Sequence, residues 1–290
     1  MSPEFILHLL ISAIIIYILV SWFKIFLNLR GTIDFGYIWI IIFWAYSSAL
    51  LNINFELWIL SSIFLAFFLS LPFTFLLLYL SSRLSQVYFV IWSLSLYMLI
   101  LQIAQNVEIT GWALWLSWMN RDLIWGFQIY SLQSYFIFSL IAWLLVIGFF
   151  TNLKKTYFFK TLEAWWENEN SIKALWIKSL IYRFFLISIT TFLAVLGGGL
   201  FSFYYQYISP SSFWLGLLID ILIVWLIAFK MSDSKTLLVA IAVVFVSEYL
   251  RFFKIVEASK SWYLKEMIFA LAIIVASYFV FKKIQFNREI

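Results

Sequence analysis

Long apolar runs separated by short polar stretches make up almost the whole chain. A membrane-spanning helix needs about 20 mostly apolar residues, and nine runs approach that length. The predicted spans are Phe5–Phe23, Ile33–Leu51, Leu57–Leu80, Gln86–Ala104, Ser134–Thr151, Leu180–Tyr204, Phe213–Phe229, Thr236–Phe253 and Trp262–Phe281. The runs are continuous rather than alternating, which favours helices over barrel strands. We therefore predict an all-α, polytopic transmembrane helical bundle of about nine spans, forming a single domain over residues 1–290.

The composition agrees with this prediction. Of the 290 residues, 65% are hydrophobic and 11% are charged, and the mean hydropathy is +1.02. Soluble domains carry about 25% charged residues, so a soluble enzyme and a disordered chain are excluded. Cysteine is absent and His8 is the only histidine, which excludes a disulfide framework, an iron–sulfur cluster and a histidine-based metal site. We expect His8 to be an interfacial residue rather than a ligand, and we expect no cofactor.

The basic residues predict an orientation, because Lys and Arg concentrate in cytoplasmic connections. With the connection 152–179 placed in the cytoplasm, fourteen basic residues fall inside and five outside. The N-terminus is then outside and the C-terminus is cytoplasmic. Residues 1–4 contain no Lys or Arg and no cleavage pattern follows, so we expect the first helix to be retained. The basic residues adjoin apolar runs instead of forming one patch, which predicts membrane lipid and no nucleic acid as surroundings.

Two connections are long enough to have structure of their own. The outer connection, residues 106–133, contains Trp112, Trp115, Trp118 and Trp125. Tryptophan prefers the membrane interface, so we expect this segment to lie along the outer membrane surface. The inner connection, residues 152–179, has the pattern of one or two short amphipathic helices.

Ionisable residues inside spans are candidates for function. Asp220 lies within the seventh predicted span, where a carboxylate costs on the order of 3 kcal/mol to insert. It either forms a structural hydrogen bond to a neighbouring helix or lines a pathway. Proton coupling would need a second acid or a buried basic partner, and the sequence shows neither beside Asp220. It also shows no Asp–Asp pair, Ser–His pair or H-E-x-x-H motif.

Two glycine tracts are further pathway candidates. Gly198 is the centre of three consecutive glycines in the sixth span, where glycine permits close approach between helices, so a packing notch is the alternative. Gly31, Asp34 and Gly36 interrupt the start of the second span. Unwound backbone at membrane depth is tolerated where it lines a cavity, although a cytoplasmic turn would have the same sequence.

Several short motifs follow one another along the chain in a recognisable order. They are Gly31-Thr-Ile-Asp-Phe-Gly36, Ala45-Tyr46, Ile109-Thr-Gly111, the run Phe159–Glu169 followed by Lys173-Ala-Leu-Trp176, Gly198-Gly-Leu-Phe201, Ile208-Ser-Pro-Ser-Ser-Phe213 and Glu248-Tyr-Leu-Arg251. In order and spacing, over about residues 30–285, the chain resembles the M-type inner-membrane permease subunit of branched-chain amino-acid ABC importers. It departs from that pattern where Glu163 and Trp166 replace arginines and Trp176 replaces a glycine.

The resemblance implies that the chain lies in the inner (cell) membrane and forms half of a translocation pathway there. The substrates would be branched-chain or related hydrophobic amino acids, or urea- or amide-like solutes. The implied partners are a second permease subunit (a paralogue or a copy of this chain), two cytoplasmic ATP-binding subunits and an extracytoplasmic substrate-binding protein. The chain has no P-loop pattern G-x-x-x-x-G-K-[ST], so we expect no ATPase or other enzyme activity of its own.

Two other functional classes remain open at this stage. An ion- or proton-coupled secondary transporter would need ionisable groups at mid-membrane, for which Asp220 alone is thin support. A membrane-embedded enzyme or assembly factor would need a convergent polar cluster.

Within the inner connection, we predict that residues 161–176 couple the permease to an ATPase. The candidate coupling residues are Glu163, Ala164, Trp166, Glu167, Glu169 and Leu175. Apolar docking area is expected from Leu162, Trp165, Trp166 and Ile172, because exposed apolar patches mark partner sites. The alternative is a helix lying on the inner leaflet. Glu163, Glu167 and Glu169 disfavour this position, because anionic lipid would repel them.

Overall fold

The computed structural model describes residues 2–30, 38–111, 116–117, 119–124, 127–167, 179–213, 215–228, 231–252 and 267–275. Nearly all of this part of the chain is helical. The helices are α1 (Pro3–Arg30), α2 (Ile38–Phe55), α3 (Ile59–Arg83), α4 (Gln86–Asn106), α5 (Leu132–Leu153), α6 (Tyr157–Glu167), α7 (Ser179–Tyr205), α8 (Leu215–Ile227) and α9 (Asp233–Phe252). Residues 267–275 are also helical. Four short strands are β1 (Leu116–Ser117), β2 (Asp122–Ile124), β3 (Phe127–Gln128) and β4 (Tyr207–Ile208).

Within the described ranges, seven helical segments are long and apolar enough to cross a membrane. They are α1 to α5, α7, and the stretch Pro210–Ile227, which joins a short 3₁₀ turn to α8. The predicted eighth span forms as α9, but charged residues near both of its ends reduce its apolar length. The predicted ninth span is described only over residues 267–275. The all-α membrane bundle is confirmed, and these segments are compatible with about nine spans.

Helices α1, α2 and α7 form the centre of the bundle, and the other helices surround them. α7 packs against α1, α2 and α3, whereas α5, α8 and α9 pack on α1 and α4 packs on α2. Within the span of α1, 67% of residues are buried, but only 22% are buried in α5. The surrounding helices expose large apolar side chains, including Phe64 and Phe68 of α3. Such faces suit contact with lipid or with another membrane protein rather than with water.

Three consecutive glycines explain how α7 can contact three helices at once. A Cβ atom on Gly197 would lie 2.5 Å from Leu19 Cδ2 of α1. One on Gly198 would lie 3.0 Å from the backbone oxygen of Ile41 in α2, and one on Gly199 would lie 2.7 Å from Ile63 Cγ1 of α3. Small residues let helix backbones approach closely in membranes. The glycine triplet therefore sets the spacing at the centre of the bundle.

The outer connection is joined to the bundle by hydrogen bonds. β1 pairs with β4 in an antiparallel ladder, and β2 pairs with β3. The Asn52 side chain, near the end of α2, donates to Asn120 O at 3.1 Å and accepts from Asn120 N at 2.7 Å. The connection is thus anchored on α2 and on the segment after α7. The four tryptophans of this connection, on which its predicted position along the membrane surface depends, lie outside the described residues.

The opposite end of the bundle gathers the basic residues that we assign to the cytoplasm. Lys24 Nζ donates to Met231 O at 2.7 Å, and Lys154 Nζ forms an ion pair with Asp233 Oδ2 at 3.2 Å. The ends of α1 and α5 and the start of α9 therefore meet at one end, as the alternating topology requires. Which side of the membrane this end faces stays a prediction.

Candidate functional site

A cavity of about 510 Å³ lies between α1, α7, α8 and α9. We call it the inner cavity. Apolar side chains from α1, α8 and α9 form much of its wall. Its wall also contains two carboxylates and four serine hydroxyls, from Ser12, Ser211, Ser212, Asp220, Ser247 and Glu248. A concave, mostly apolar space with a few polar groups is the usual form of a small-molecule site.

The residues between α7 and α8 are not α-helical, and they form part of the polar side of this cavity. α7 ends at Tyr205, and Gln206 then adopts a left-handed conformation with φ of 58°. β4 and a 3₁₀ turn at Pro210–Phe213 follow before α8 begins. α8 has 13 residues, which at 1.5 Å per residue is about 20 Å, shorter than the roughly 30 Å hydrocarbon core. Non-helical backbone at membrane depth is tolerated where it lines a cavity, as Tyr207 and the serines of the turn do here.

Asp220 and Glu248 come from different helices and line the same cavity. Asp220 lies in the middle of α8 and is 9% exposed, and Glu248 lies near the end of α9. The sequence showed no second acid for Asp220, because the pairing of two separate helices is not visible in a linear pattern. The available signal was a carboxylate inside an otherwise apolar segment, which selects Asp220. Glu248 lies near the charged end of α9 and does not have this signal.

A second cavity of about 760 Å³ adjoins the first on the side of the outer connection. We call it the outer cavity, and its wall shares Tyr205 and Glu248 with the inner cavity. His8 Nδ1 is hydrogen-bonded to the Tyr204 hydroxyl at 2.6 Å, and His8 Nε2 lies 4.0 Å from Glu248 Oε1. His8 therefore connects the start of α1 to both α7 and α9. The sequence predicted only an interfacial position for it.

Arg121 brings a positive charge to the outer cavity. Its Nη2 donates to Tyr204 O at 2.9 Å, and its Cζ lies 6.0 Å from the centre of the Tyr135 ring. Partial burial lowers the pKa of the Arg121 guanidinium from its ordinary value, and the neighbouring tyrosines oppose this shift. Arginine nevertheless stays protonated in proteins. The outer cavity thus holds both signs of charge, since Glu4 and Glu248 also line it.

The predicted pathway residues lie in different places. Asp220 lines the inner cavity. Gly198 packs against the α2 backbone and is not among the described residues that line either cavity. Gly31, Asp34 and Gly36 lie outside the described residues. Arg121, Tyr205 and the serines have no distinctive sequence signal, because single polar residues at helix ends and turns show no regular spacing.

The predicted coupling segment begins as α6, at the end of the bundle that contains Lys154. Ala164 is exposed on α6. Leu162 is only 1% exposed and packs with Leu186 of α7. The expectation that Leu162 offers free docking area is therefore wrong, because this face of α6 covers α7. The side chains of Glu163, Trp166 and Glu167 lie outside the described part of the structure, as do residues Glu169 and Leu175 entirely.

Comparison with known families identifies the chain. A family model described as the permease component of a branched-chain amino acid transport system matches residues 5–277. No curated protein and no solved structure matches the chain. The family match covers nearly all of the sequence, including every helix described above. The chain is a multi-pass membrane protein that belongs to the family of branched-chain amino acid transport permease components.

Proposed function

We propose that this chain is the permease subunit of an ABC importer and forms half of its translocation pathway. The observation that carries the proposal is the family match over residues 5–277. A second permease subunit would complete the pathway. Two ATP-binding subunits would drive it from the cytoplasm, and an extracytoplasmic binding protein would deliver hydrophobic amino acids.

The outward face of α6 is the proposed contact with the ATP-binding subunit. Tyr157, Lys160 and Ala164 are exposed at spacings of three and four residues, which places them on one face of the helix. The same register puts positions 163 and 167 next to this face. Leu162 holds the opposite face against α7, so movement of α6 would be transmitted directly to a central helix.

Co-purification from native membranes tests this contact. We expect an ATP-binding subunit to co-purify with the wild-type chain, and we expect the double variant Glu167→Lys, Glu169→Lys to retain much less of it. Glu108→Lys, with the same type of charge change in the outer connection, is the control. Retention of the ATP-binding subunit at the wild-type level by the double variant would contradict the docking proposal.

Single cysteines test the proposed orientation without background reaction, because the chain contains no cysteine. Ser2 and Thr156 are both exposed and lie at opposite ends of the bundle. In sealed cells, a membrane-impermeant maleimide should label the Ser2→Cys variant. It should label the Thr156→Cys variant only after the membrane is permeabilised. Labelling of Thr156→Cys in intact cells would reverse the orientation and remove α6 from the cytoplasm.

A cation- or proton-coupled transporter is the second candidate, favoured by one observation. Asp220 and Glu248 line one cavity, and ionisable residues within membrane-spanning segments mark proton and ion pathways. Uptake of radiolabelled L-leucine into proteoliposomes that contain the purified complex distinguishes the ABC importer from the ion-coupled transporter. The importer proposal predicts uptake that needs ATP on the ATPase side and survives collapse of ion gradients. Uptake driven by an ion gradient without ATP would support the second candidate.

A further inference from the structure

We propose that the outer cavity binds the carboxylate group of a zwitterionic amino acid, with Arg121 as the residue that recognises it. This inference rests on the proposed transport function and deepens it, because it selects amino acids over urea- or amide-like solutes, which have no carboxylate. It also assigns a solute-binding site to the end of the bundle that contains the outer connection.

Arg121 lines the outer cavity with a guanidinium group that is only partly paired. Its Nη2 donates to Tyr204 O at 2.9 Å, whereas its Nε is buried and has no hydrogen-bond partner among the described residues. The ion pairs of the described residues do not include Arg121. Asp122, the next residue, instead accepts from Asn120 Nδ2 at 3.2 Å. A buried donor without an acceptor costs free energy, so a ligand that accepts hydrogen bonds would stabilise this guanidinium.

A carboxylate is the ligand group that matches this side chain. A guanidinium presents five N–H donors in one plane, and a carboxylate can accept from two of them at once. Such charge-assisted pairs are stronger than the hydrogen bond to the neutral carbonyl group of Tyr204. The Tyr135 ring, with its centre 6.0 Å from Arg121 Cζ, attracts the cation but accepts none of these in-plane hydrogen bonds.

Two acids also line the outer cavity, and they limit the net charge of the ligand. Glu4 is exposed to solvent, and Glu248 Oε1 lies 4.0 Å from His8 Nε2. Both would repel a simple carboxylate anion, because like charges in one cavity are unfavourable. A zwitterion brings a carboxylate to Arg121 without adding net charge. The wall therefore favours an amino acid over a monocarboxylate.

The helix ends at this cavity favour the same group. Phe5 lies in the first turn of α1 and Leu132 is the first residue of α5, and both line the cavity. The N-terminal end of a helix carries a partial positive charge that attracts anionic groups. Ser2 and Ser131 already cap these two ends, so the helices contribute their field and Arg121 contributes the hydrogen bonds.

The size and position of the outer cavity suit an amino acid. Its volume of about 760 Å³ is within the range of roughly 300–1,000 Å³ found for small-molecule pockets. It shares Tyr205 and Glu248 with the inner cavity, whose wall includes the apolar side chains of Ile15, Leu19 and Leu217. We therefore assign the carboxylate to the outer cavity and direct the aliphatic side chain of the amino acid toward the inner cavity.

Competition binding to the purified full-length chain in phosphatidylcholine nanodiscs tests the class of ligand. The probe is tritiated L-leucine. The competitors are unlabelled L-leucine and L-leucinamide, in which an amide replaces the carboxylate. We expect leucinamide to compete at least about tenfold more weakly, because it loses the charge-assisted hydrogen bonds to Arg121. Equal competition by the two compounds, or absence of leucine binding, would overturn the proposal.

Substitution of Arg121 tests whether this residue causes the preference for leucine. In Arg121→Gln, leucine affinity should fall at least about tenfold, while leucinamide affinity should stay near the wild-type value. A purely structural role of Arg121 would weaken both ligands alike. The matched control is Arg83→Gln, because Arg83 also lies over a tyrosine ring, with its Cζ 5.9 Å from the centre of the Tyr79 ring, but at the other end of α3 from the outer connection. This control should keep the wild-type preference.

Arg121→Lys is the second variant and decides if Arg121→Gln fails to fold. Lysine keeps the positive charge but lacks the planar pair of donors, so the preference for leucine should be reduced but retained. An unchanged preference in a folded Arg121→Gln or Arg121→Lys protein contradicts the assignment. Loss of leucine binding when phosphatidylglycerol replaces part of the phosphatidylcholine would assign Arg121 to a lipid phosphate and overturn the proposal.

The outcome also separates this inference from the proposed function. A complex that takes up leucine with ATP, but shows the same ligand preference with and without Arg121, keeps the function and loses the inference. A chain whose preference depends on Arg121, but which never associates with an ATP-binding subunit, keeps the inference and loses the function.

Discussion

The bundle is packed very differently in two regions around α7. Toward α1, α2 and α3, a Cβ added to any glycine of the triplet would lie within 3.0 Å of an atom of a neighbouring helix. Toward α8 and α9, α7 ends at Tyr205, and a cavity of about 510 Å³ lies between α7, α8 and α9. Closely packed regions resist deformation, and loosely packed ones can open or hold a ligand. We propose that the first region is a scaffold and that the second is the binding region.

Asp220 and Gly198 show this difference in individual residues. Gly198 packs against the α2 backbone, and a larger side chain there would crowd that backbone. Asp220 lines a cavity, and its importance is its charge. A substitution at Gly198 should therefore alter stability first, and one at Asp220 should alter binding first. The predictions below test this distinction, starting with the largest expected change in stability.

Gly198→Ala should destabilise the protein most. The new Cβ would lie 3.0 Å from Ile41 O and 3.2 Å from Ala45 N, and backbone atoms in a packed helix cannot move aside. Overpacking of this kind costs about 2 kcal/mol, which outweighs the alanine preference of a helix of up to about 1 kcal/mol. Thermal unfolding in detergent measures the effect. The matched control is Gly148→Ala in α5, where nothing lies within 4 Å and stability should be unchanged or higher. Equal melting temperatures for the two variants would contradict the scaffold role.

Tyr135→Phe should cost about 1 kcal/mol, the usual net value of one hydrogen bond. The Tyr135 hydroxyl donates to Leu200 O at 2.7 Å and joins α5 to α7 just beyond the glycine triplet. Although the side chain lines the outer cavity, we assign this contact to the scaffold. Thermal unfolding should show the loss, while leucine binding to the folded variant should be unchanged. A folded variant with full stability but weaker leucine binding would move Tyr135 into the binding region.

Gly197→Ala tests the boundary between the two regions. Its Cβ would lie 2.5 Å from Leu19 Cδ2, the end of a flexible side chain that also lines the inner cavity. Leu19 can turn into the open space, so the loss of stability should be below about 1 kcal/mol. The cavity would become smaller, and leucine affinity should fall several-fold. A stability loss as large as that of Gly198→Ala, with no change in affinity, would show that the boundary is misplaced.

Lys154→Gln should have the smallest effect on stability. Lys154 and Asp233 form an ion pair at 3.2 Å, with side chains 47% and 24% exposed. Exposed ion pairs contribute about 0–1 kcal/mol and are screened by salt. The difference in melting temperature from wild type should be small at low salt and disappear in about 1 M salt. A large, salt-independent loss would mean that the contact between α5 and α9 is itself part of the scaffold.

The sequence predicted the scaffold better than the binding region. Apolar runs of membrane-spanning length predicted the helices, and three adjacent glycines indicated either a close helix contact or a pathway element. Both signals are local and depend on a single segment. The cavity depends on which faces of α1, α8 and α9 meet, and no linear pattern contains that information. Asp220 was identified because a carboxylate in an apolar run is costly, but only the fold shows that Glu248 lines the same cavity.

The burial of Leu162 shows the same limit at the other end of the bundle. The amphipathic pattern of the inner connection, residues 152–179, predicted one or two short helices, and α6 is a helix within it. It could not show whether the apolar face would cover a partner or the chain itself. The structure shows Leu162 against Leu186 of α7. A docking surface on α6 must therefore use the residues on its polar, outward face.

The most direct test measures thermal unfolding and ATP-driven leucine uptake for Asp220→Asn and Gly198→Ala in the same complex. We predict that Asp220→Asn keeps the wild-type melting temperature and loses at least about tenfold in uptake, because it removes the charge of a cavity-lining carboxylate without changing the size of the side chain. Gly198→Ala should unfold at a lower temperature and keep its uptake per folded molecule. Wild-type uptake in a folded Asp220→Asn complex would contradict the assignment of the cavity as the binding region.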